Sequence, residues 1–338
     1  MVLSFGGPDK PADVRPFLEN VTRGRGVPPE RLDEVAEHYH HFGGVSPINA
    51  LNKQMIASLE AELGRSGIDL PVYFGNRNWH PMIEDTLAQI HADGHRRILV
   101  FPTSAWGGYS GCRQYDEDIS RGLESLGAKA DSMVLRKLPQ YWDHPAMTAS
   151  WSDAITAARA ELAPDQRDDA RLIFTAHSIP MSADRAAGPP ADGGRLYSRQ
   201  VAGASQLAAD AAGFDSFDQV WQSRSGPPQI PWLDPDICDH LEDVAGQGVQ
   251  AVIVCPIGFV SDHLEVVWDL DNEGHEKAQE LGLGYTRAST VGTDPRFIAM
   301  IAELIAEQLS GPVPFRQGMT DNGTPCAVGC CEPVRRPV

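Results

Sequence analysis

The sequence predicts an α/β protein of two similar, doubly wound domains, and three observations lead there. At roughly 150 residues per domain, 338 residues suffice for two cores. Short β-branched or aliphatic runs bounded by Gly, Pro or Ser, at 72–74, 97–101, 171–174 and 251–254, alternate with amphipathic stretches at 83–92, 198–212 and 295–309. That is the order of parallel sheets covered by helices. A strand, a proline and a Gly-rich loop follow one another at 100–108 and again at 254–258, as if one unit occurred twice.

The boundary falls near 142–151, which gives an N-terminal domain over 1–146 and a C-terminal domain over 147–311. The patch 186–194 reads as a surface loop. The clearest helix is 295–309, where Ile298, Ile301, Leu304, Ile305 and Leu309 share a face. Asp294 caps its start with Pro295 behind it, and Gly311 closes it. Residues 312–338 are rich in Pro and Gly, lack periodicity and are expected outside both cores.

Composition narrows the partners. Lys and Arg number 28 against 46 Asp and Glu, a net charge of −18 that repels phosphate backbones and anionic lipid. Nucleic acid and membrane insertion are not expected, and the longest apolar stretch, 252–260, is far below the ~18 residues of a membrane span. The start, 1–5, has no basic leader or apolar signal region, so the expected compartment is the reducing cytoplasm. The six cysteines then read as free thiols or metal ligands.

Two clusters carry chemistry. His177 follows the apolar run 172–174, at the carboxyl end of a strand where open α/β sheets place their ligands. A hydrogen-bonded structural histidine is the plainer alternative. Glu265, Asp269 and Glu273 recur at i, i+4 and i+8, so a helix lines three carboxylates along one stripe. With Asp262 and Asp271 close by and no basic residue before Lys277, a path for a hard or borderline cation explains the stripe better than a solvated face. A base from one strand end beside this stripe suggests metal delivery where protons leave. The segments 6–8, 43–47 and 107–111 allow close approach of backbone to a flat ligand, or are simple turns. Arg23 and Arg25 suit a carboxylate, or an exposed salt-bridged turn.

The motifs Leu3-Ser-Phe-Gly-Gly-Pro, Phe42-Gly-Gly-Val-Ser-Pro-Ile, Tyr73-Phe-Gly-Asn-Arg, Thr175-Ala-His-Ser-Ile-Pro, Trp221-Gln-Ser-Arg-Ser-Gly, Pro231-Trp-Leu and Ser261-Asp-His-Leu-Glu together resemble the ferrochelatases, which insert ferrous iron into a porphyrin in haem synthesis. The resemblance runs to about Leu309 and implies two Rossmann-like domains with the porphyrin in the cleft between them. It implies His177 as metal-site histidine and proton acceptor, Glu265 as its partner carboxylate, and Asp269 and Glu273 along the metal path. Ser46 and Tyr115 resemble the residues that hold a porphyrin propionate, with Arg23 nearby. Phe5 departs from relatives that carry a tyrosine or methionine there, since a phenyl ring cannot ligate iron.

The wording is most similar to actinobacterial members, which use the coproporphyrin route. The cleft lip, 19–42, carries Arg23, Arg25, Glu30, Arg31, Asp33 and Glu34, a polar rim that suits the four carboxylates of coproporphyrin III better than protoporphyrin IX. A cobalt or nickel chelatase, or a non-catalytic tetrapyrrole or metal carrier, are the alternatives. A downstream enzyme of haem synthesis is a further expected partner. Cys326, Cys330 and Cys331 have no packing rationale, and some ferrochelatases hold a 2Fe-2S cluster on such a tail. The fourth ligand is then Cys112, Cys238 or Cys255, because the stretch 146–151, where animal members supply theirs, has no cysteine. A zinc site or a loose thiol tail are the other readings.

Overall fold

The computed structural model describes residues 1–24, 26–226 and 229–334. Arg25, expected on the polar rim, lies outside the described residues. The first sheet takes β1 (Val2–Ser4), β2 (Phe74–Asn76), β3 (Arg97–Pro102) and β4 (Val134–Lys137) in the order β2-β1-β3-β4, all parallel. The second takes β5 (Arg171–His177), β6 (Asp218–Gln222), β7 (Ala251–Cys255) and β8 (Gly284–Arg287) in the order β6-β5-β7-β8, again parallel. The two orders are the same, which is the repetition that the strand–Pro–Gly pattern suggests. The central strands β5 and β7 are buried throughout their middles, as expected where helices cover both faces.

The helices Ile83–Ala92 and Pro295–Leu309 keep the expected bounds, and the Asp294 side chain accepts the Arg296 N–H at 2.8 Å as an N-cap. Ile298, Ile301, Leu304 and Ile305 are buried as the periodicity requires, whereas Leu309 at the last turn is exposed. The expected division of the chain is crossed by packing. The largest core joins Val2, Met55 and Phe101 to Leu172, Phe174 and Ile253, and the helix Pro295–Leu309 lies on the helix Ile48–Arg65 of the first half.

Two expectations are corrected. The patch 186–194 is not a plain surface loop, since Ala187 is buried in the core and the Gly188 N–H reaches the tail. The tail is not outside the fold either. Thr320–Asp321 form β9, antiparallel to β4 at the open edge of the first sheet. Asn322 exchanges hydrogen bonds with Leu135 in both directions at 2.7 Å, and Arg136 donates to both oxygens of Asp321 at 2.7 and 2.9 Å. A short strand on an edge leaves no periodic signal, because its partner lies almost two hundred residues away.

Candidate active site

In each sheet the strand order reverses between two neighbours, and there ligands enter at the carboxyl ends. In the second sheet those neighbours are β5 and β7. His177 is the last residue of β5, and the loop after β7 climbs past it to Glu265. Gly258 lets the loop lie flat on the strand: it donates to the Thr175 carbonyl at 3.2 Å, and a Cβ there would fall 2.6 Å from that of Ala176.

His177 is fixed at both ends. Its carbonyl accepts from the Tyr197 hydroxyl at 2.9 Å, and its Nδ1 lies 2.6 Å from the Ser178 carbonyl. A carbonyl only accepts, so Nδ1 carries the proton and Nε2 is the free acceptor. Nε2 faces Glu265 Oε2 at 3.6 Å. Burial lowers the basicity of the imidazole, but the Glu265 carboxylate and the Ser178 carbonyl outweigh it, and the net shift is above 6.5. Burial opposes ionisation of Glu265 as well, yet His177 and the charges of His263 and His38 hold it at about 2. Both side chains still open to solvent, at 36% and 47% exposure, so protons can leave.

Behind Glu265 the short helix Leu264–Val266 runs into a π-helical segment, Val267–Gly274. Its i→i+5 bonding widens the turn and keeps residues four apart near one line. Glu265, Asp269 and Glu273 accordingly line one cavity of about 290 Å³, with Asp236, Cys238 and His38. Asp269 accepts from Gln222 Nε2 at 3.1 Å and from the Ser223 hydroxyl. Ser223 reaches it from a left-handed conformation, φ +61°. Desolvation, with the charges of Glu265 and Glu273, outweighs those donors and raises Asp269 to about 7.

A carboxyl whose pKa is higher in the folded state destabilises the fold as pH rises through that value. Asp269→Asn is therefore expected to raise the melting temperature at pH 8 while leaving it little changed at pH 4. Equal melting curves at both pH values would contradict the strained carboxylate.

The acidic segment is less uniform than the sequence suggests. Arg287, on β8, pairs with Asp262 at 3.1 Å and with Asp271 at 2.6 Å, so these two are neutralised, whereas in the cavity Glu265 faces His177 and Asp269 and Glu273 share no ion pair with a described residue. Among the described residues, no three His, Cys, Asp or Glu side chains are arranged as a site for a metal ion. The carboxylates line a cavity without closing around a point.

The lip is two helices, Val14–Val21 and Pro29–His41, whose Phe17, Leu18, Leu32 and Tyr39 pack on Leu264. His38 stacks on Trp268 at 3.9 Å and 5°, tying the lip to the acidic segment. Outward, Arg15 pairs with Glu19 at 2.8 Å and Arg31 with Glu34 at 2.7 Å. Arg23 is exposed and shares no ion pair with another described residue. Ser46 is buried, its N–H donating to the Pro8 carbonyl at 2.9 Å. Tyr115 is buried in the first sheet's core, its hydroxyl engaged with Thr103 and its ring under Arg77 at 4.4 Å. The structure thus places Ser46 and Tyr115 beneath the surface and Arg23 upon it. Phe5 is 37% exposed just beyond β1, edge-on to Phe17.

The tail cysteines gather at the far side. Cys326 and Cys330 sulfurs are 3.4 Å apart, Cys330 and Cys331 sulfurs 3.6 Å. Cys331 Sγ accepts the N–H groups of Gly108 and Gly188, each at 3.2 Å. Hydrogen bonds from the Cys330 thiol and from backbone N–H groups pull Cys326 and Cys331 below the ordinary thiol value. Cys112 lies in the π-helical turn Tyr109–Arg113 that begins at Gly108, close enough to feel the charge of Cys331. Cys238 lines the acidic cavity, and Cys255 sits in β7. Of the three candidates, Cys112 is the one on the tail's side. Thiolates are the kind of donor an iron–sulfur group takes, but among the described residues these cysteines are not arranged around a point as a metal site.

A base with one fixed acceptor nitrogen, an ionised partner and a carboxylate-lined cavity behind them define a site able to exchange protons for a cation. A sequence profile of the ferrochelatase family matches residues 1–309. The chain belongs to the ferrochelatase family, enzymes that insert ferrous iron into a porphyrin in haem biosynthesis. It is 65% identical over 343 residues to the coproporphyrin III ferrochelatase of Nocardia farcinica, covering 100% of this chain and 97% of that one. It is 56% identical over 339 residues to that of Mycolicibacterium smegmatis, covering 98% of each. The solved structure of SirB from Bacillus subtilis with Fe3+ shares the fold, with TM-score 0.51 and 15% identity over 74% of this chain and 86% of that one. No helix of the described residues is long and apolar enough to cross a membrane.

Proposed function

We propose that this chain inserts Fe2+ into coproporphyrin III in the cytoplasm, with His177 as proton acceptor and Glu265 as its charged partner. The observation that carries the reading is the His177–Glu265 pair, with Nδ1 held on a carbonyl and Nε2 turned to a carboxylate. A free-base porphyrin gives up two N–H protons as the dication enters. Nε2 takes a proton, Glu265 stabilises the imidazolium, and the partly exposed ring releases it to water before the next. Asp269 and Glu273 supply oxygen ligands on the way in, and a lining without a closed cage suits passage better than storage. A carrier would need the cleft but not this lining.

The choice of coproporphyrin rests on the relatives' substrate and on the charged outer face of the lip, where Arg23 is available to a carboxylate. Ser46 and Tyr115 are the propionate contacts expected deeper in, and reaching Tyr115 would require its hydroxyl to leave Thr103. Coproporphyrin III and protoporphyrin IX turned over side by side without oxygen should give the higher kcat/KM for coproporphyrin III. Arg23→Ala should narrow the gap by up to about fivefold, the scale of an exposed charge contact. Equal turnover of the two porphyrins would overturn the substrate assignment.

We propose as a second part of the reading a 2Fe-2S cluster on the tail, with Cys326, Cys330 and Cys331 as ligands and Cys112, on the tail's side, as the first candidate for the fourth. Bound there it would tie the tail to the first sheet through thiolate ligands. Cys330→Ser and Cys112→Ser should each remove the red-brown colour and lower the melting temperature, while Cys238→Ser and Cys255→Ser keep both. A colourless wild type prepared without oxygen and containing no sulfide would contradict the cluster.

A further inference from the structure

Gln222 ends β6 fully buried, and its register partner across the sheet is His177 at the end of β5. The Ser178 N–H donates to the Gln222 carbonyl at 2.7 Å, which fixes the backbone there. The side-chain amide has a neighbour on each side. The Thr175 hydroxyl donates to Oε1 at 2.8 Å, and Nε2 donates to Asp269 Oδ2 at 3.1 Å. Thr175, also fully buried, stands two residues before His177 and so on the same face of β5.

The sense of these contacts follows from the chemistry of the groups. An ionised carboxylate only accepts, so the amide turns Nε2 to Asp269, and Oε1 then faces Thr175. Without the Thr175 hydroxyl, Oε1 would be buried with no donor, and the amide would leave its place to find one. The two donors to Asp269, Gln222 Nε2 and the Ser223 hydroxyl, both fall on Oδ2, and Oδ1 is left for a cation.

We propose that Thr175 and Gln222 are positioning residues for metal entry, the chain Thr175–Gln222–Asp269 holding the Asp269 carboxylate in a fixed relation to His177. The proposal rests on the metal path described above. Neither Thr175 nor Gln222 is among the described residues that line the cavity, so both act through Asp269. A free carboxylate must be ordered each time an ion binds, whereas one already held binds without that cost, and the gain falls on the metal and not on the porphyrin.

The test uses the full-length protein without oxygen and reads KM for Fe2+ and for coproporphyrin III separately. Thr175→Val, of nearly the same shape, removes the hydroxyl and should raise KM for Fe2+ by roughly three- to tenfold, the scale of one hydrogen bond, with KM for the porphyrin as in wild type. Gln222→Met should raise KM for Fe2+ at least as much. Thr175→Ser, which keeps the hydroxyl, should return it to the wild-type value. A merely structural network would lower the melting temperature in these variants without moving one KM and sparing the other. If Thr175→Val does not fold, Gln222→Met set against Thr175→Ser decides by the same split. Asp269→Asn, measured alongside, tells the positioning role from the metal path itself. Where Asp269→Asn raises KM for Fe2+ and neither Thr175→Val nor Gln222→Met does, the positioning role alone is overturned. An unchanged KM for Fe2+ in Asp269→Asn overturns the path and the positioning role together.

Discussion

His177→Ala is expected to abolish iron insertion while leaving porphyrin affinity within about tenfold. Nε2 is the acceptor fixed by the Ser178 carbonyl, and alanine removes it without touching the backbone carbonyl that holds Tyr197. Loss of a positioned base costs about 10²- to 10⁴-fold, and here it falls on the step in which pyrrole protons leave, not on binding. The rate of iron coproporphyrin formation without oxygen, set beside porphyrin binding by fluorescence quenching, separates the two. An active alanine variant would remove His177 from the mechanism.

Glu265→Gln should lower the rate roughly a hundredfold at unchanged porphyrin affinity. The substitution keeps the shape and removes the charge that holds the imidazole above its ordinary basicity and stabilises the imidazolium. It also withdraws the first carboxylate of the cavity. A variant with most of its activity would reduce the carboxylate stripe to a surface feature.

What the sequence discloses depends on whether a residue's surroundings are local. The helix Pro295–Leu309 is legible in its bounds because its cap, its proline and its apolar face lie within its own residues. β5 and β7 are legible as buried aliphatic runs. β4, Val-Leu-Arg-Lys, is not, since Lys137 is buried only because Asp116 and Cys112 meet it there. β6, Asp-Gln-Val-Trp-Gln, is hidden for the same reason, its Gln222 being buried against Thr175 and Asp269.

The site follows the same rule. His177 shows itself at a strand end, and the stripe of Glu265, Asp269 and Glu273 by its spacing. Asp236, Cys238 and His38 reach the cavity from separate segments, and no spacing joins them. Arg287 neutralises Asp262 and Asp271 from the next strand, which no reading of the acidic run alone could supply. Among the cysteines, proximity to the tail through Gly108 selects Cys112, a relation made only by folding.

The central claim is that Glu265 raises the basicity of the imidazole that takes the porphyrin's protons. The most direct measurement is the pH dependence of kcat/KM for Fe2+ insertion, without oxygen, in wild type and Glu265→Gln. His177 must be neutral to accept, so activity is lost as pH falls through its pKa. The wild-type profile should rise along a limb centred above 6.5, and in Glu265→Gln, where burial is opposed only by the Ser178 carbonyl and the charge of Asp269, that limb should move to lower pH. A limb at the same pH in both proteins would contradict the account.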